Sequence, residues 1–271
     1  MPRPALLLAL LLSAVTAAAT PVLKPGGTAE FAVEMPKGLR EFAGGEHLTP
    51  VKQVQVAVAV PGDFDPAREW PVMVISATSD PGYNSSRQLL GYYAPQALAA
   101  GWILLAADPK EKISPAEDGL QMRFALVSTA LAGLQLVWPG AAKAPLAFGG
   151  FSGGAKHSGW LAAEFTTVGR PPIGVFQAGI NKDTLVLAAR QLKILNDSFR
   201  RTPVFLLGGK KDEIATPFDH HDVESDLKRA GFKQVRLEFF DGPHAVDPRP
   251  LKQALEWFAA EHAKSPGTGK P

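Results

Sequence analysis

Short apolar runs recur along the chain from residue 53 onward, separated by polar segments and by segments containing glycine and proline. Seven of these runs predict strands, at residues 54–60, 72–75, 102–107, 145–148, 173–177, 203–207 and 235–240. The run at 72–75 reads Val-Met-Val-Ile without a polar position, which is typical of a strand buried on both faces of a parallel sheet.

Longer segments with helical character lie between the predicted strands, at residues 87–100, 120–137, 155–165, 182–199, 217–230 and 250–262. In the last of these, apolar residues recur at i, i+3, i+4 and i+7, which places them on one face of a helix. Gly101 and Gly231 follow two of the segments and favour helix termination there. This alternation predicts an α/β fold with a mostly parallel sheet and helices on both faces.

The first 19 residues have the organisation of a secretory signal peptide. One basic residue, Arg3, precedes an apolar run at 4–15, and Ala17-Ala18-Ala19 supply the small residues that signal peptidase prefers. The run is shorter than the roughly 20 residues that a membrane-spanning helix needs. We therefore expect residues 1–19 to be removed, the protein to be secreted or periplasmic, and the mature chain to have no membrane span.

The rest of the chain is predicted to form one domain with short flanking segments. Residues 20–50 are rich in Pro and Gly and predict an N-terminal extension of extended and loop structure. Residues 51–263 contain the alternating strands and helices, and residues 264–271 are expected to form a disordered tail. No internal repeat or long linker interrupts residues 51–263.

Composition excludes several classes of protein. The 271 residues include 28 Lys and Arg against 26 Asp and Glu, for a net charge of +2, which argues against a strongly basic nucleic-acid surface. There is no cysteine, which excludes disulfides, cysteine-ligated zinc, iron–sulfur clusters and thiol catalysis. We find no Gly-rich phosphate loop and no nucleotide fingerprint, and we expect no cofactor and no metal.

Residues 150–154 read Gly-Phe-Ser-Gly-Gly and match the G-x-S-x-G pattern. The pattern alone is weak, but here it directly follows a predicted strand and directly precedes a predicted helix. A nucleophile elbow requires that placement, because the serine sits in a strained turn at the end of a strand. Ser152 is therefore the candidate nucleophile.

A catalytic serine needs a base, and the base needs an acidic group to orient it. Asp212 follows the predicted strand 203–207, and His244 follows the predicted strand 235–240. The carboxyl ends of parallel strands meet at one edge of a sheet, where sites in such folds lie. Residues of the three required types thus occur in the order Ser, Asp, His, each after a separate strand.

Together, the strand–elbow–helix placement and this order resemble the α/β-hydrolase superfamily over residues 51–262, roughly four fifths of the chain. The chain is similar to single-domain carboxylesterases, dienelactone hydrolases and the catalytic domain of prolyl oligopeptidases. The resemblance implies a sheet of about eight strands, with Ser152 as nucleophile, Asp212 as acid and His244 as base.

The resemblance also implies two donors for an oxyanion. One is the main-chain N–H of Gly153, which follows the nucleophile. The other usually comes from the loop after the third strand, which often carries His-Gly. This chain has Ser-Ala-Thr-Ser-Asp-Pro-Gly at residues 76–82, so the second donor is expected to be a main-chain N–H at Thr78 or Ser79.

Several alternatives remain open at this stage. Glu213 or Asp222 is a possible substitute for Asp212, and His157 is the first substitute for His244 as base. His220 and Glu224 lie one helical turn apart and suggest a metal site, but no third ligand has convincing spacing, which favours a solvated helix face.

The expected function is an exported serine hydrolase that cleaves carboxylic esters of small molecules through an acyl-enzyme. Little chain lies between the strands at 173–177 and 203–207, so no lid is expected and short acyl groups are favoured. One alternative is a serine exopeptidase of related fold. The other is a non-catalytic binding protein on the same fold, motivated by the missing His-Gly.

Overall fold

The computed structural model describes residues 21–44 and 49–264. In this part of the chain, eight strands form one sheet in the order β1-β2-β4-β3-β5-β6-β7-β8. The strands are Thr28–Glu34 (β1), Gln53–Ala59 (β2), Val72–Ser76 (β3), Ile103–Pro109 (β4), Leu146–Phe151 (β5), Gly174–Ala178 (β6), Val204–Gly209 (β7) and Val235–Phe240 (β8). Only β2 runs antiparallel to its neighbours, β1 and β4. The predicted α/β fold with a mostly parallel, eight-stranded sheet is confirmed.

Seven α-helices lie in the described ranges and cover both faces of the sheet. They are Lys37–Gly44 (α1), Ser86–Ala99 (α2), Leu120–Val137 (α3), Gly153–Thr167 (α4), Leu185–Gln191 (α5), Pro217–Arg229 (α6) and Leu251–Ala263 (α7). Apolar residues of α2 and α7 pack on one face. Those of α1, α3, α4, α5 and α6 pack on the other face.

The strands divide their side chains between these two faces, as the two-residue period of a strand requires. In β3, Val72 and Val74 belong to the larger apolar cluster, whereas Met73 and Ile75 belong to the smaller one. All four side chains are buried. This two-sided burial explains why the strand appears in the sequence as an uninterrupted apolar run.

Residues 28–44 contain two elements where the sequence predicted extended and loop structure. β1 pairs with β2 over its whole length, from Thr28 opposite Ala59 to Glu34 opposite Gln53. Helix α1 follows and packs against α3. β1 is an edge strand and only two of its residues, Phe31 and Val33, are buried, so its apolar pattern is weak. The predicted signal peptide and most of the predicted tail lie outside the described residues.

The segment predicted as mostly helical at 182–199 forms a shorter helix. α5 ends at Gln191, and Lys193 adopts a positive φ of 58°. The N–H of Ile194 donates to the carbonyl of Ala189 (2.9 Å), and the N–H of Lys193 donates to that of Arg190 (3.1 Å). This is a Schellman arrangement, which ends a helix after one left-handed residue.

Of the described helices, α3 alone is long and apolar enough to cross a membrane by length and composition. Of its 18 residues, 67% are buried inside the protein. It packs against β2, β4 and α4, which accounts for its apolar composition as that of a core helix.

Candidate active site

Ser152 lies at the sharp turn between β5 and α4. Its backbone has φ 54° and ψ −119°, a left-handed conformation that non-glycine residues rarely adopt. The strand ends at Phe151 and the helix begins at Gly153, so the chain reverses direction at this single residue. The N–H of Ser152 donates to the carbonyl of Ala178 in β6 at 2.8 Å. This is the strained strand-to-helix turn that the motif predicts.

Two glycines let the strand and the helix approach each other at the turn. A Cβ atom placed on Gly154 would lie 1.9 Å from the carbonyl oxygen of Ser76. A Cβ atom on Gly150 would lie 2.4 Å from the same oxygen and 2.5 Å from the carbonyl carbon of Gly154. Since all three distances are far below van der Waals contact, the turn excludes a side chain at either position.

Thr78 lies directly beside the beginning of α4. A Cβ atom on Gly153 would lie 2.4 Å from Thr78 Oγ1 and 3.1 Å from its Cα. Ser79 is oriented differently, because its hydroxyl donates to the carbonyl of Asp118 at 3.1 Å. The structure therefore brings the loop after β3 against the residue that follows the candidate nucleophile.

Asp212 and His244 meet across 32 residues of sequence. Their loops follow the adjacent strands β7 and β8, and His244 Nδ1 lies 2.7 Å from Asp212 Oδ2. The other oxygen, Oδ1, accepts the main-chain N–H groups of Ile214 and Ala215 at 2.8 Å each. Burial acts to raise the pKa of Asp212, but these N–H groups and the His244 ring hold the pKa below its ordinary value. The carboxylate is thus ionised and fixed in orientation.

The His244 ring lies beside the elbow. Its centroid is 4.6 Å from that of Phe151, the residue before Ser152. A Cβ atom on Gly179 would lie 3.0 Å from His244 Cε1, and the preceding residue, Ala178, accepts the N–H of Ser152. The serine and the ring therefore lie beside consecutive residues at the end of β6, Ala178 and Gly179 respectively. With Nδ1 engaged by Asp212, Nε2 is the ring nitrogen left for a serine hydroxyl.

A buried ion pair that was not predicted from the sequence supports the loop after β3. Arg123 and Asp118 are both buried and form a hydrogen-bonded salt bridge. Arg123 also donates to the carbonyl of Thr78 at 3.3 Å and to Ser86 Oγ at 3.4 Å. The signal in the sequence is a single arginine inside the apolar segment 120–137, since a buried charge requires a partner.

His157 also holds this loop. Its Nδ1 donates to the carbonyl of Ala77 at 2.9 Å, which joins the second turn of α4 to the residue before Thr78. Burial and, after it, the nearby Arg123 charge lower the pKa of His157, so the ring is neutral at neutral pH. His157 therefore supports the loop after β3. His244, and not His157, is the histidine that contacts the Asp212 carboxylate.

The possible metal ligands in α6 do not converge. His220 is completely buried, and its two nitrogens face the carbonyls of Thr216 and Leu207, so the expectation of a solvated face is wrong for this residue. Glu224 accepts a hydrogen bond from the Lys228 ammonium group at 2.6 Å. Among the residues that the structure describes, no group of three or more His, Cys, Asp or Glu side chains is placed to hold a metal ion.

Comparison with known proteins identifies the class of fold. No protein-family model matches the chain, and no curated protein matches its sequence. Among solved structures, an α/β serine hydrolase without a lid from Xanthomonas campestris aligns over 93% of this chain and 100% of its own, with 16% identity and a TM-score of 0.55.

Two further solved structures are similar. A cold-adapted esterase from an Arctic intertidal metagenomic library aligns over 88% of this chain and 96% of its own, with 13% identity and a TM-score of 0.58. An acylaminoacyl peptidase from Pyrococcus horikoshii aligns over 92% of this chain and 44% of its own, with 14% identity and a TM-score of 0.57. The chain has the α/β-hydrolase fold.

Proposed function

We propose that this chain is an exported serine hydrolase that cleaves carboxylic esters with short acyl groups. One observation carries the proposal: a serine held at positive φ on a strand-to-helix turn, beside an Asp–His pair joined at 2.7 Å. Backbone strain of this kind persists where the surrounding structure imposes it, and it concentrates at active sites. Esterases and serine hydrolases among the similar structures support the same reaction class.

In the proposed reaction, Ser152 Oγ attacks the acyl carbon and passes its proton to His244 Nε2. Asp212 fixes the imidazole tautomer through Nδ1 and stabilises the imidazolium that forms. The same proton then goes to the leaving alcohol as the C–O bond breaks. Water hydrolyses the acyl-enzyme with His244 as base, which regenerates the Ser152 hydroxyl.

Main-chain N–H groups are proposed to stabilise the oxyanion of the tetrahedral intermediate. The N–H of Gly153 is the first donor, and the N–H of Thr78 or Ser79 is the second. The close approach of Thr78 to Gly153 supports this assignment. In place of a His-Gly motif, the contacts of Arg123 and His157 with the carbonyls of Thr78 and Ala77 fix the loop.

The connection between β6 and β7 supports the proposed preference for short acyl groups. It contains α5, a 3₁₀ turn at Phe199–Arg201 and short links, with no additional helices that would form a lid. One similar structure is described as a serine hydrolase without a lid. A cleft without a lid buries few methylene groups of an acyl chain, and each is worth only about 0.8 kcal/mol.

Export is proposed from the pattern of residues 1–19 alone. Intact mass of the secreted or periplasmic protein is expected to fit a chain that begins at Thr20 or within a few residues of it. Recovery of soluble mature protein that retains Met1 would contradict this part of the proposal.

A fluorophosphonate probe tests the nucleophile. Wild type is expected to be labelled, Ser152→Ala to be unlabelled, and Ser114→Ala, which alters an exposed serine, to be labelled like wild type. Folded wild type that resists the probe would favour the non-catalytic binding protein. A matched series of esters and aminoacyl amides then separates the classes of hydrolase, because higher kcat/KM for amides would indicate the exopeptidase.

A further inference from the structure

A cavity of about 730 Å³ lies on the face of the sheet that α3 and α4 cover. The end of α1, the beginning of α3, the middle of α4 and the end of α5 line it, and it is partly open to solvent. Its apolar wall includes Phe42, Met122, Phe124, Trp160 and Leu192. The volume is in the range of pockets that hold small molecules, roughly 300–1,000 Å³.

The cavity is separate from the proposed active site. Glu164 in its wall lies on the same helix as the elbow but twelve positions after Ser152, which corresponds to about 18 Å along a helix axis. None of Ser152, Asp212 and His244 lines the cavity. Its occupant is therefore a ligand other than the group being hydrolysed.

Glu164 places one carboxyl group in this apolar wall. Its Oε2 is buried and has no hydrogen-bond partner. A buried polar oxygen without a donor costs free energy, and a ligand that supplies the donor recovers it. Oε2 is inaccessible where it lies, so it reaches a donor in the cavity by rotation about the last side-chain torsion, which has a broad energy well.

The charge of the wall selects for a cation. Glu164 and Glu117 are the ionisable side chains among the described residues that line the cavity, and both are acidic. Glu117 is exposed and is held by the N–H and hydroxyl of Ser114, each at 2.7 Å. An anionic ligand would meet two carboxyl groups and no basic side chain of the described wall.

Aromatic rings favour the same ligand. Phe42 and Phe124 pack edge to face with centroids 5.5 Å apart, and Trp160 contributes a third ring to the wall. Ring faces attract ammonium groups. The rings also provide apolar surface for the body of the ligand.

We propose that this cavity binds a small apolar amine in its ammonium form, with the ammonium group on Glu164 and the apolar body against the aromatic wall. No covalent step is involved. The site binds independently of the chemistry proposed for Ser152, so an inactive Ser152→Ala protein is expected to bind the amine as well as wild type does.

Binding is expected to release protons near neutral pH. Burial raises the pKa of Glu164 to about 8, whereas the ammonium ligand stabilises the ionised carboxylate. Glu117, the other ionisable group of the described wall, is exposed, and hydrogen bonds from Ser114 lower its pKa. It is therefore already ionised at neutral pH and contributes no proton.

Calorimetric titration of Ser152→Ala protein at pH 7.5 tests the proposal with three probes. Each probe has one phenyl ring, and the three differ in charge. These are phenethylamine, 2-phenylethanol and phenylacetate. Phenethylamine is expected to bind at least about tenfold more tightly than the alcohol, and phenylacetate more weakly than either. Titrations in two buffers of different ionisation enthalpy are expected to show proton release with the amine alone.

Glu164→Gln is expected to reduce the amine affinity by about tenfold or more, to abolish proton release and to leave the alcohol affinity within about threefold. Glu117→Gln is the matched control and is expected to change the amine affinity by less than about threefold. Equal affinity of Ser152→Ala protein for amine and alcohol, or no binding of the amine, would overturn the proposal whatever the Glu164 variant shows. If wild type proves to have no esterase activity, these titrations still test the amine site, because they measure binding and not turnover.

Discussion

At the scale of single residues, Ser152, His244 and Asp212 have different roles in the proposed reaction, as nucleophile, base and acid. Ser152→Ala or His244→Ala is expected to lower kcat on the order of 10⁴-fold or more, because the nucleophile or the base is lost. Asp212→Asn is expected to cost somewhat less, since the base remains but loses the carboxylate that orients it. Steady-state kinetics with a p-nitrophenyl ester measures all three.

The folded state of each of these variants is checked by its unfolding midpoint, which is expected to stay close to that of wild type. Near-normal turnover in His244→Ala would show that the base is assigned incorrectly. His157 would not be the natural substitute, because its Nδ1 already holds the carbonyl of Ala77.

Glu164 makes stability depend on pH in the sense opposite to most carboxyl groups. Its pKa rises from 4.5 to about 8 on folding because of burial. Between those values the folded state keeps a proton that the unfolded state has lost, so the free energy of unfolding falls as pH rises from about 4.5 to 8. One pKa unit corresponds to 1.36 kcal/mol, which sets an upper bound of about 5 kcal/mol.

Glu164→Gln is therefore expected to be more stable than wild type at pH 8 and to approach it near pH 4.5. Urea unfolding at several pH values measures the difference. Glu117→Gln serves as the control, because Glu117 is exposed. A difference between Glu164→Gln and wild type that does not vary with pH would contradict the burial of the carboxyl group.

At the scale of elements, α3 holds the loop after β3 through the Arg123–Asp118 pair. Arg123→Met is expected to destabilise the protein by about 3–5 kcal/mol, because Asp118 becomes a buried charge without its partner. Thr78 loses the donor to its carbonyl, so kcat is expected to fall more than KM rises. Denaturant unfolding and ester kinetics measure the two effects.

The double variant Arg123→Met, Asp118→Leu separates stability from positioning. An apolar pair often restores the stability of a buried ion pair, whereas the missing donor to Thr78 is expected to keep kcat low. Arg87→Met removes an exposed ion pair with Glu30 and is expected to change stability by less than about 1 kcal/mol. Full recovery of kcat in the double variant would show that the pair has a purely structural role.

At the scale of the whole molecule, the short connection between β6 and β7 governs the expected substrate size. Esters with acyl chains of about two to four carbons are expected to have higher kcat/KM than esters with about ten or more. A p-nitrophenyl ester series measures this preference. A maximum at long chains, or a jump in rate above the solubility limit, would indicate an acyl pocket or lid that the fold does not account for.

The sheet, most of the helices and the position of the elbow followed from the sequence. Strands β3 to β7 have the apolar runs that burial on two faces requires, β2 and β8 have alternating patterns, and the turn at Ser152 has glycines on both sides. These are local properties, since each depends on the neighbours of a residue along the chain. β1 was missed because Glu30 and Glu34 interrupt its short apolar pattern, and α5 was overextended because Lys193 has no local signal for its positive φ.

The tertiary structure alone decided which polar groups meet. The order Ser, Asp, His suggested a site, but the 2.7 Å contact between His244 and Asp212 depends on the pairing of β7 with β8. Arg123 reaches Thr78 across 45 residues, and Oε2 of Glu164 is buried where α1, α3 and α5 approach α4. Contacts between distant segments depend on how whole elements pack, and no pattern within one element encodes that packing.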